Sequence, residues 1–297
     1  MTIGDSSSPV TAARAVAVEH GVRCDDAVVL AMGSNVLVHM KPSPVVARVM
    51  TGTAALHEDV VRWLEHEVAV VVFAADQGGP VVPPSELIAP GPYEHDGLWM
   101  TFWKLVAHKR SDRSPEAGAV GRSLRELHDV LAGFAGDLEP FSGIRDQIDR
   151  QLAELHPCGW LSGHEIELLR SELRRLTPTA FATSARTQPI HGDAGLGNLL
   201  ASRAGLLWND MEDVCAGPVG WDVAGVVASA RARARSENYV ARMLAAYGGP
   251  DLDALRPFLE LDALYAAVWE AFDAQRRRPS TNTPPGRLAQ SLARLHL

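Results

Sequence analysis

The sequence predicts an α+β fold in which a small antiparallel sheet with one main helix precedes a larger, mostly helical region. Short runs rich in β-branched residues are concentrated in the first third of the chain, and such runs are typical of strands. Apolar residues at helical spacing dominate the remainder. With 297 residues, 46% of them hydrophobic, the chain is long enough to bury a sizeable core.

The first third contains the predicted strands. Two runs, Val36–Val38 and Val45–Val49, are separated by the turn residues Lys41–Pro44. The stretch "ALHEDVVRWLEHEVAVVVFAAD" follows, and its apolar residues recur at the spacing of a helix. An apolar and aromatic run, Gly97–Val106, predicts another strand that leads out of this region.

Helices dominate the rest of the chain. Amphipathic patterns occur in "AGAVGRSLRELHDVLAGF", "IRDQIDRQLAEL" and "GHEIELLRSELRRL", and three more helical stretches begin near Trp221, Asn238 and Leu255. Short apolar runs bracket loops in "TQPIHGDAGLGNLLAS" and "GLLWNDMEDVCAGP". The change in pattern predicts two lobes, residues 1–103 and 104–297.

Composition excludes several classes of protein. A net charge of −8 argues against a nucleic-acid partner, which would favour basic patches. No apolar run is long enough for a membrane span, and no signal peptide is indicated, so we expect no membrane partner. Three widely spaced cysteines predict neither a disulfide framework nor a zinc site and favour a reducing compartment. We therefore expect a cytoplasmic protein.

The segment "HGDAGLGNLL" contains the residues that suggest chemistry. Asp193 is followed five positions later by Asn198, and Asp210 lies seventeen positions after Asp193 in "LLWNDMED". Phosphoryl transfer needs a carboxylate to orient or deprotonate the acceptor hydroxyl and oxygen ligands for magnesium. In the protein-kinase pattern one loop supplies an aspartate and, five residues on, an asparagine that binds the metal. Glu212 and Asp213 are alternatives to Asp210 as the second metal ligand.

Together, "HGDAGLGNLL" and "WNDMEDVCAGPVGWDVA" resemble the aminoglycoside phosphotransferase and choline kinase family of small-molecule kinases. The resemblance implies a two-lobed protein-kinase-like fold. It also implies Mg²⁺-dependent transfer of the γ-phosphoryl group of ATP or GTP to a hydroxyl of a small molecule. A cationic acceptor, such as an aminoglycoside or an amino alcohol, would suit the family and the acidic chain.

The resemblance assigns roles to residues of the two segments. Asp193 matches the catalytic aspartate, and His191 matches the histidine that braces the catalytic turn. Asn198 and Asp210 match the metal ligands. Asp222 matches a buried aspartate that hydrogen-bonds the catalytic loop and acts as structural support.

Further roles fall in the first lobe. Gly33, Ser34 and Asn35 match a loop that closes over the nucleotide phosphates, with a simple hairpin turn as the alternative. Arg48 stands where the family usually has a lysine, and Glu67 matches its partner on the helix, with Glu65 as the competitor. Of the three lysines, Lys41 lies in a proline-flanked turn, whereas Lys104 and Lys109 come too late in the chain. The stretch that matches the adenine-binding linker contains Met100, Phe102 and Trp103.

The acceptor site is predicted from one helical stretch near the C-terminus. Asp262, Tyr265, Trp269 and Asp273 are separated by three, four and four residues, so they share a face if the segment is helical. An aromatic and acidic face could hold an amine through cation–π and ionic contacts. The alternative is that the aromatic residues pack in a core and the acids face solvent. In the same way, His128 is interpreted as a core histidine that braces the loop.

Two rival functions remain open at this point. A nucleotide-binding pseudokinase or scaffold is favoured by arginine at position 48, whereas intact Asp193, Asn198 and Asp210 argue against it. A protein kinase is disfavoured because the span from Asp210 to Asp222 is too short for an activation segment. The sequence leaves four points open, namely the acceptor, the choice between ATP and GTP, a role in antibiotic resistance or metabolism, and the oligomeric state.

Overall fold

The computed structural model describes residues 8–54, 57–108, 115–181 and 187–277. In these ranges the chain forms eight helices and nine strands. The helices are α1 Pro9–Glu19, α2 Val60–Asp76, α3 Ala117–Leu131, α4 Ser142–Glu154, α5 Gly163–Ala180, α6 Val219–Ala232, α7 Glu237–Tyr247 and α8 Leu252–Arg277. The strands are β1 Cys24–Met32, β2 Val36–Pro42, β3 Val45–Val49, β4 Tyr93–His95, β5 Leu98–Lys104, β6 Thr187–Ile190, β7 Leu199–Ser202, β8 Gly205–Trp208 and β9 Cys215–Pro218.

The chain divides into two compact units. The first contains the described residues within Met1–Pro115, Asp129–Asp137 and Asn198–Val214. The second contains those within Glu116–His128, Leu138–Gly197 and Cys215–Leu297. The predicted lobe boundary between residues 103 and 104 stays a prediction, because a unit defined by contacts need not coincide with a functional lobe.

The first unit is built on a five-stranded sheet in the order β1-β2-β3-β5-β4, and each neighbouring pair is antiparallel. Strand β3 is buried along its whole length, which fits its run of valines and its central place between β2 and β5. Helix α1 packs against this sheet, and its buried residues join those of the strands in one hydrophobic cluster. The cluster is the core of the first unit.

Helix α1 is a finding that the sequence pattern did not predict. Its buried residues are Ala12, Ala13, Val16 and Ala17, so its apolar stripe consists mainly of small side chains. Its start is clear in the structure, where the Ser8 hydroxyl accepts a hydrogen bond from Thr11 N. Strand β1 lies at an edge of the sheet, and Asp25 and Asp26 near its start are exposed.

Helix α2 begins after Asp59, whose carboxylate accepts a hydrogen bond from Arg62 N. Its buried positions are Leu64, Glu67, Val70, Val71 and Ala74. Four of them are apolar, whereas Glu67 places a carboxylate on the buried face. The helix therefore carries a charged group into the interior of the first unit.

The hairpin of β7 and β8 belongs to the same unit although it comes much later in the chain. Trp208 at the end of β8 is fully buried, and its backbone N donates to Pro80 O while its O accepts from Val82 N. These bonds fix the end of β8, so the residues that follow it start from a defined position.

Helices α4, α5 and α6 all contact the long helix α8 in the second unit. Strands β6 and β9 form a small antiparallel pair, and α6 starts directly after β9. The first turn of α5 is closed by a reciprocal capping box between Ser162 and Glu165. The second unit thus holds the loop after β6 against a helical framework.

The fold class predicted from the sequence is confirmed, with a small antiparallel sheet, a main helix α2 and a helical second unit. The observed starts of α6, α7 and α8 lie within three residues of the predicted ones. No helix among the described residues combines the length and hydropathy that crossing a membrane would require.

Candidate active site

The segment His191–Gly197 forms a loop directly after β6. Gly192 has φ 86°, a left-handed conformation that glycine adopts without steric cost. His191 is fully buried, and its Nδ1 accepts a hydrogen bond of 3.3 Å from Asp193 N. Asp193 is an exposed residue. The loop therefore turns sharply before Asp193 and presents this carboxylate to solvent.

Helix α6 holds the start of this loop through Asp222. This residue is fully buried, and its two carboxylate oxygens accept hydrogen bonds from His191 N at 2.7 Å and Gly192 N at 3.0 Å. Trp221 Nε1 donates to Gly192 O at 2.5 Å. The predicted hydrogen bonds from this loop to a buried aspartate are present.

The rest of the loop follows the same face of α6. A Cβ on Gly225 would lie 2.6 Å from Ala194 O, and Ser229 Oγ accepts a hydrogen bond of 3.0 Å from Leu196 N. Arg233 Nη2 lies 3.3 Å from the position of a Cβ on Gly197. One side of the helix carries all four residues, because Asp222, Gly225 and Ser229 of α6 and Arg233, which caps its C-terminus, are spaced three, four and four residues apart. The helix thus supports the loop along its length.

His128 connects α3 to this support. It is 2% exposed, and its Nε2 lies 2.9 Å from Asp222 Oδ2. This placement agrees with the interpretation of His128 as a core histidine that braces the loop.

A second group of charged residues lies in the first unit around Arg48 on β3. Arg48 forms ion pairs with Glu67 and Asp210, and its Nη1 lies 3.4 Å from Glu212 Oε2. Glu67 is buried, whereas the competing Glu65 is exposed. The structure therefore brings together Arg48 and Glu67 as the resemblance implied, and adds Asp210 and Glu212.

The buried carboxyl groups around Arg48 have raised pKa values. Burial alone would lower the pKa of Arg48, but Glu67, Glu212 and Asp210 raise it above its ordinary value, so the guanidinium stays charged. Burial raises the pKa of Glu67 to about 7, although Arg48 lowers it. Burial and the Asp210 carboxylate raise the pKa of Glu212 well above its usual range and that of Asp213 to about 6.

The turn that contains Gly33, Ser34 and Asn35 lies between β1 and β2. Gly33 is exposed, and a Cβ on Gly52 would lie 2.5 Å from Ser34 O, so a second loop approaches closely. Asn35 is buried, and its Nδ2 donates to Glu212 Oε2 at 2.9 Å. Its Oδ1 accepts a hydrogen bond of 3.0 Å from Thr53 Oγ1. The Asn35 side chain thus links this turn to Glu212, and contact of the turn with phosphate stays a prediction.

The predicted metal ligands Asn198 and Asp210 are neighbours in the first unit. They flank the hairpin of β7 and β8, and Asn209 N donates to Asn198 O at 3.0 Å. Asp210 has φ 63°, an uncommon conformation for a residue other than glycine. Carboxylate and amide oxygens are hard ligands that suit magnesium. The donors present therefore fit such an ion, whereas Asp193 belongs to the other unit and its approach to them stays a prediction.

Met100, Phe102 and Trp103 lie within strand β5, in agreement with the strand predicted over Gly97–Val106. They are buried, and β5 pairs with β3 along this stretch. Phe102 N also donates to Pro90 O at 2.8 Å. Contact of these residues with adenine stays a prediction. Lys109 lies outside the described residues.

The four residues of the predicted acceptor face all lie in α8 and are partly buried. The Asp262 carboxylate lies 4.0 Å from the position of a Cβ on Gly225, the residue that touches Ala194. Tyr265 Oη accepts a hydrogen bond of 3.2 Å from Gln147 Nε2 on α4. Trp269 packs against Phe272 with ring centroids 6.1 Å apart. Asp262 is therefore near the loop, whereas Trp269 makes a packing contact within its own helix.

Comparison with protein families decides the assignment. The model of APH, the phosphotransferase enzyme family, matches residues 35–258, which is more than half of the chain. The chain belongs to this family. The predicted resemblance is confirmed, and so is the predicted enzyme class of small-molecule kinase at the level of the family.

Three solved structures with a similar fold are each distant in sequence from this phosphotransferase. Amicoumacin kinase hAmiN, in complex with AMP-PNP, Ca²⁺ and Ami, is 12% identical with a TM-score of 0.70, covering 91% of this chain and 87% of that one. Choline kinase LicA from Streptococcus pneumoniae is 12% identical with a TM-score of 0.69, covering 96% and 98%. APH(2")-IIia, in a GDP and kanamycin complex, is 14% identical with a TM-score of 0.65, covering 93% of each chain. No curated protein sequence matches the phosphotransferase.

Several residues that support the phosphotransferase's loop were not among the predicted site residues. In the sequence, only the spacing from Asp222 points to a shared face for Gly225, Ser229 and Arg233. Glu212 was named only as an alternative ligand, whereas the structure bonds it to Asn35 and places it beside Arg48.

Proposed function

We propose that this phosphotransferase moves the γ-phosphoryl group of ATP or GTP to a hydroxyl of a small molecule, with Asp193 as the catalytic residue. The observation that carries the proposal is the exposed Asp193 at the end of a turn whose backbone is bonded to buried Asp222. A carboxylate on a fixed backbone can orient a hydroxyl and receive its proton, and positioning supplies much of the catalysis in phosphoryl transfer.

The first unit supplies the groups for the nucleotide. Arg48 is a charged fork that suits phosphate geometry, and Glu67 holds it in place. Asn198 and Asp210 would hold magnesium, which neutralises phosphate charge when bound. The turn at Gly33 and Ser34 would lie over the phosphates. Complexes of related folds with AMP-PNP and with GDP support a nucleotide site without choosing between ATP and GTP.

The acceptor would bind in the second unit beside the loop. Asp262 supports this because it lies near Gly225, which in turn touches the backbone of Ala194 next to Asp193. A carboxylate there suits a cationic, hydroxylated acceptor. The kanamycin complex of one structural relative and the choline kinase activity named for another are consistent with such a class.

The decisive test replaces Asp193 by asparagine, which keeps the shape of the side chain but removes the base. Purified protein would be screened with ATP and GTP against hydroxylated amines, and phosphate transfer would be read by mass spectrometry. We expect Asp193→Asn to lower kcat by roughly 10²–10⁴-fold. Nucleotide affinity, measured by calorimetry, should stay within about two-fold because its groups lie in the other unit.

A matched control is Asp137→Asn, which alters an exposed aspartate outside the site. This variant should keep the wild-type kcat. Turnover of Asp193→Asn close to that of the wild type would contradict the assignment.

A second function is favoured by one observation. Arg48 engages Asp210, the proposed metal ligand, which would suit a nucleotide-binding pseudokinase that does not turn over. Nucleotide binding without phosphate transfer or hydrolysis in excess Mg²⁺ would favour this alternative, and Mg²⁺-dependent turnover would exclude it.

A further inference from the structure

A tyrosine at the end of α7 reaches the hydrogen-bond network beneath the catalytic loop. Tyr247 is 9% exposed, and its hydroxyl lies 2.9 Å from His128 Nδ1. The two rings meet edge to face, with centroids 5.7 Å apart. This tyrosine comes more than fifty residues after Asp193 in the chain, and nothing in the sequence pattern connects it to the loop.

For a neutral His128, the donors and acceptors of this network define one arrangement of protons. Asp222 Oδ2 faces both His191 N at 2.7 Å and His128 Nε2 at 2.9 Å. Because a carboxylate accepts, His128 Nε2 donates. A neutral imidazole then has its acceptor at Nδ1, so the Tyr247 hydroxyl donates to it. Each member of the network thus sets the orientation of the next.

Tyr247 is held in place by close packing between α3 and α7. A Cβ on Gly121 of α3 would lie 2.1 Å from Met243 O and 2.9 Å from Tyr247 N. Only a glycine lets the two helices approach this closely. The phenol therefore meets His128 from a fixed backbone.

We propose that Tyr247 is a positioning residue for phosphoryl transfer, acting through His128 and Asp222 on the backbone that precedes Asp193. The inference rests on the proposed function of Asp193. The hydroxyl of Tyr247 holds His128 in the tautomer that donates to Asp222. Loss of this hydroxyl leaves Nδ1 without that donor, which lets the proton or the ring move and loosens the support of His191 N and Gly192 N.

The test is Tyr247→Phe, which removes the hydroxyl and keeps the ring. Tyr239→Phe on the same helix is the matched control. We expect Tyr247→Phe to lower kcat by roughly ten-fold or more, as displaced catalytic groups do, while both KM values stay within about two-fold. The control should keep the wild-type kcat.

Two further measurements distinguish positioning from a general loss of stability. The ¹⁵N shifts of the His128 ring should report an Nε2-protonated tautomer in the wild type and in Tyr239→Phe, and a mixture in Tyr247→Phe. The combination of Tyr247→Phe with His128→Ala should be no slower than His128→Ala alone, because the tyrosine acts through the histidine.

A wild-type kcat for Tyr247→Phe, an unchanged His128 tautomer, or additive losses in the double variant would each overturn the inference. Failure of the proposed function looks different, since the wild type would then phosphorylate no acceptor. In that case the His128 shifts and the hydrogen-exchange rate of the Gly192 amide still decide whether Tyr247 sets the loop: a change supports its positioning role, and no change overturns it.

Discussion

Replacement of Arg48 by methionine should destabilise the protein strongly, because it removes the guanidinium that pairs with buried carboxylates. The side chains of Arg48 and Glu67 are 4% and 2% exposed. Removing one partner of a buried ion pair lowers the free energy of unfolding by about 3–5 kcal/mol, since the other charge is left uncompensated in the protein interior. At the roughly 2 °C per kcal/mol of a large chain, this corresponds to a fall in Tm of about 6–10 °C.

The destabilisation caused by Arg48→Met should also depend on pH. Burial already raises the pKa of Glu67 to about 7 with the guanidinium present, and without it the pKa rises further. A carboxyl group whose pKa is higher in the folded than in the unfolded protein lowers the free energy of unfolding as pH rises between the two pKa values. In the variant this window extends above pH 7, so the cost of Arg48→Met should be larger at pH 8 than at pH 6.

The assay is urea and thermal unfolding followed by tryptophan fluorescence in metal-free buffer at both pH values. Arg256→Met, which alters an exposed pair with Asp253, should leave the midpoint unchanged. The double variant Arg48→Met/Glu67→Met should recover at least about 1 kcal/mol relative to Arg48→Met, because it removes the stranded charge. A fall of less than about 1 kcal/mol in the free energy of unfolding of Arg48→Met would refute the reasoning. So would a double variant whose destabilisation equals the sum of those of the two single variants.

Two further predictions use pairs of residues that differ in their surroundings. Gly121→Ala should lower the free energy of unfolding by about 2 kcal/mol or more, because its Cβ would lie 2.1 Å from Met243 O. The Cβ of Gly143→Ala meets nothing within 4 Å, so this variant should be neutral or stabilising by up to about 1 kcal/mol. Equal Tm values for the two variants would contradict this. Asp262→Ala should raise the acceptor KM roughly ten-fold or more with nucleotide KM unchanged, whereas Asp273→Ala, about 16 Å further along α8, should have little effect. Steady-state kinetics with both substrates would check the second pair, and an unchanged acceptor KM for Asp262→Ala would remove Asp262 from the acceptor site.

Much of the fold was predictable because its signals are local. The helices of the second unit and strands β2, β3 and β5 follow from the spacing of apolar residues and from turn residues between them. Helix α1 was missed because its buried face is largely alanine, which gives a weak periodic signal.

The candidate site was predictable in its residue types but not in its partners. Asp193, Asn198 and Asp210 are recognised by their order and spacing, since one loop and one short hairpin contain them. The ion pairs of Arg48 with Glu67 and Asp210 join residues on β3, α2 and the segment after β8. No local pattern predicts that one guanidinium would face three carboxylates.

By itself the sequence determined the family, the fold class and the loop that contains Asp193, because these depend on residue identity at short separations along the chain. Only the tertiary structure decided how that loop is held. His128 contacts Asp222 across 94 residues and Tyr247 across 119. Such contacts depend on how closely helices pack, and at Gly121 this is set by the absence of a single Cβ atom.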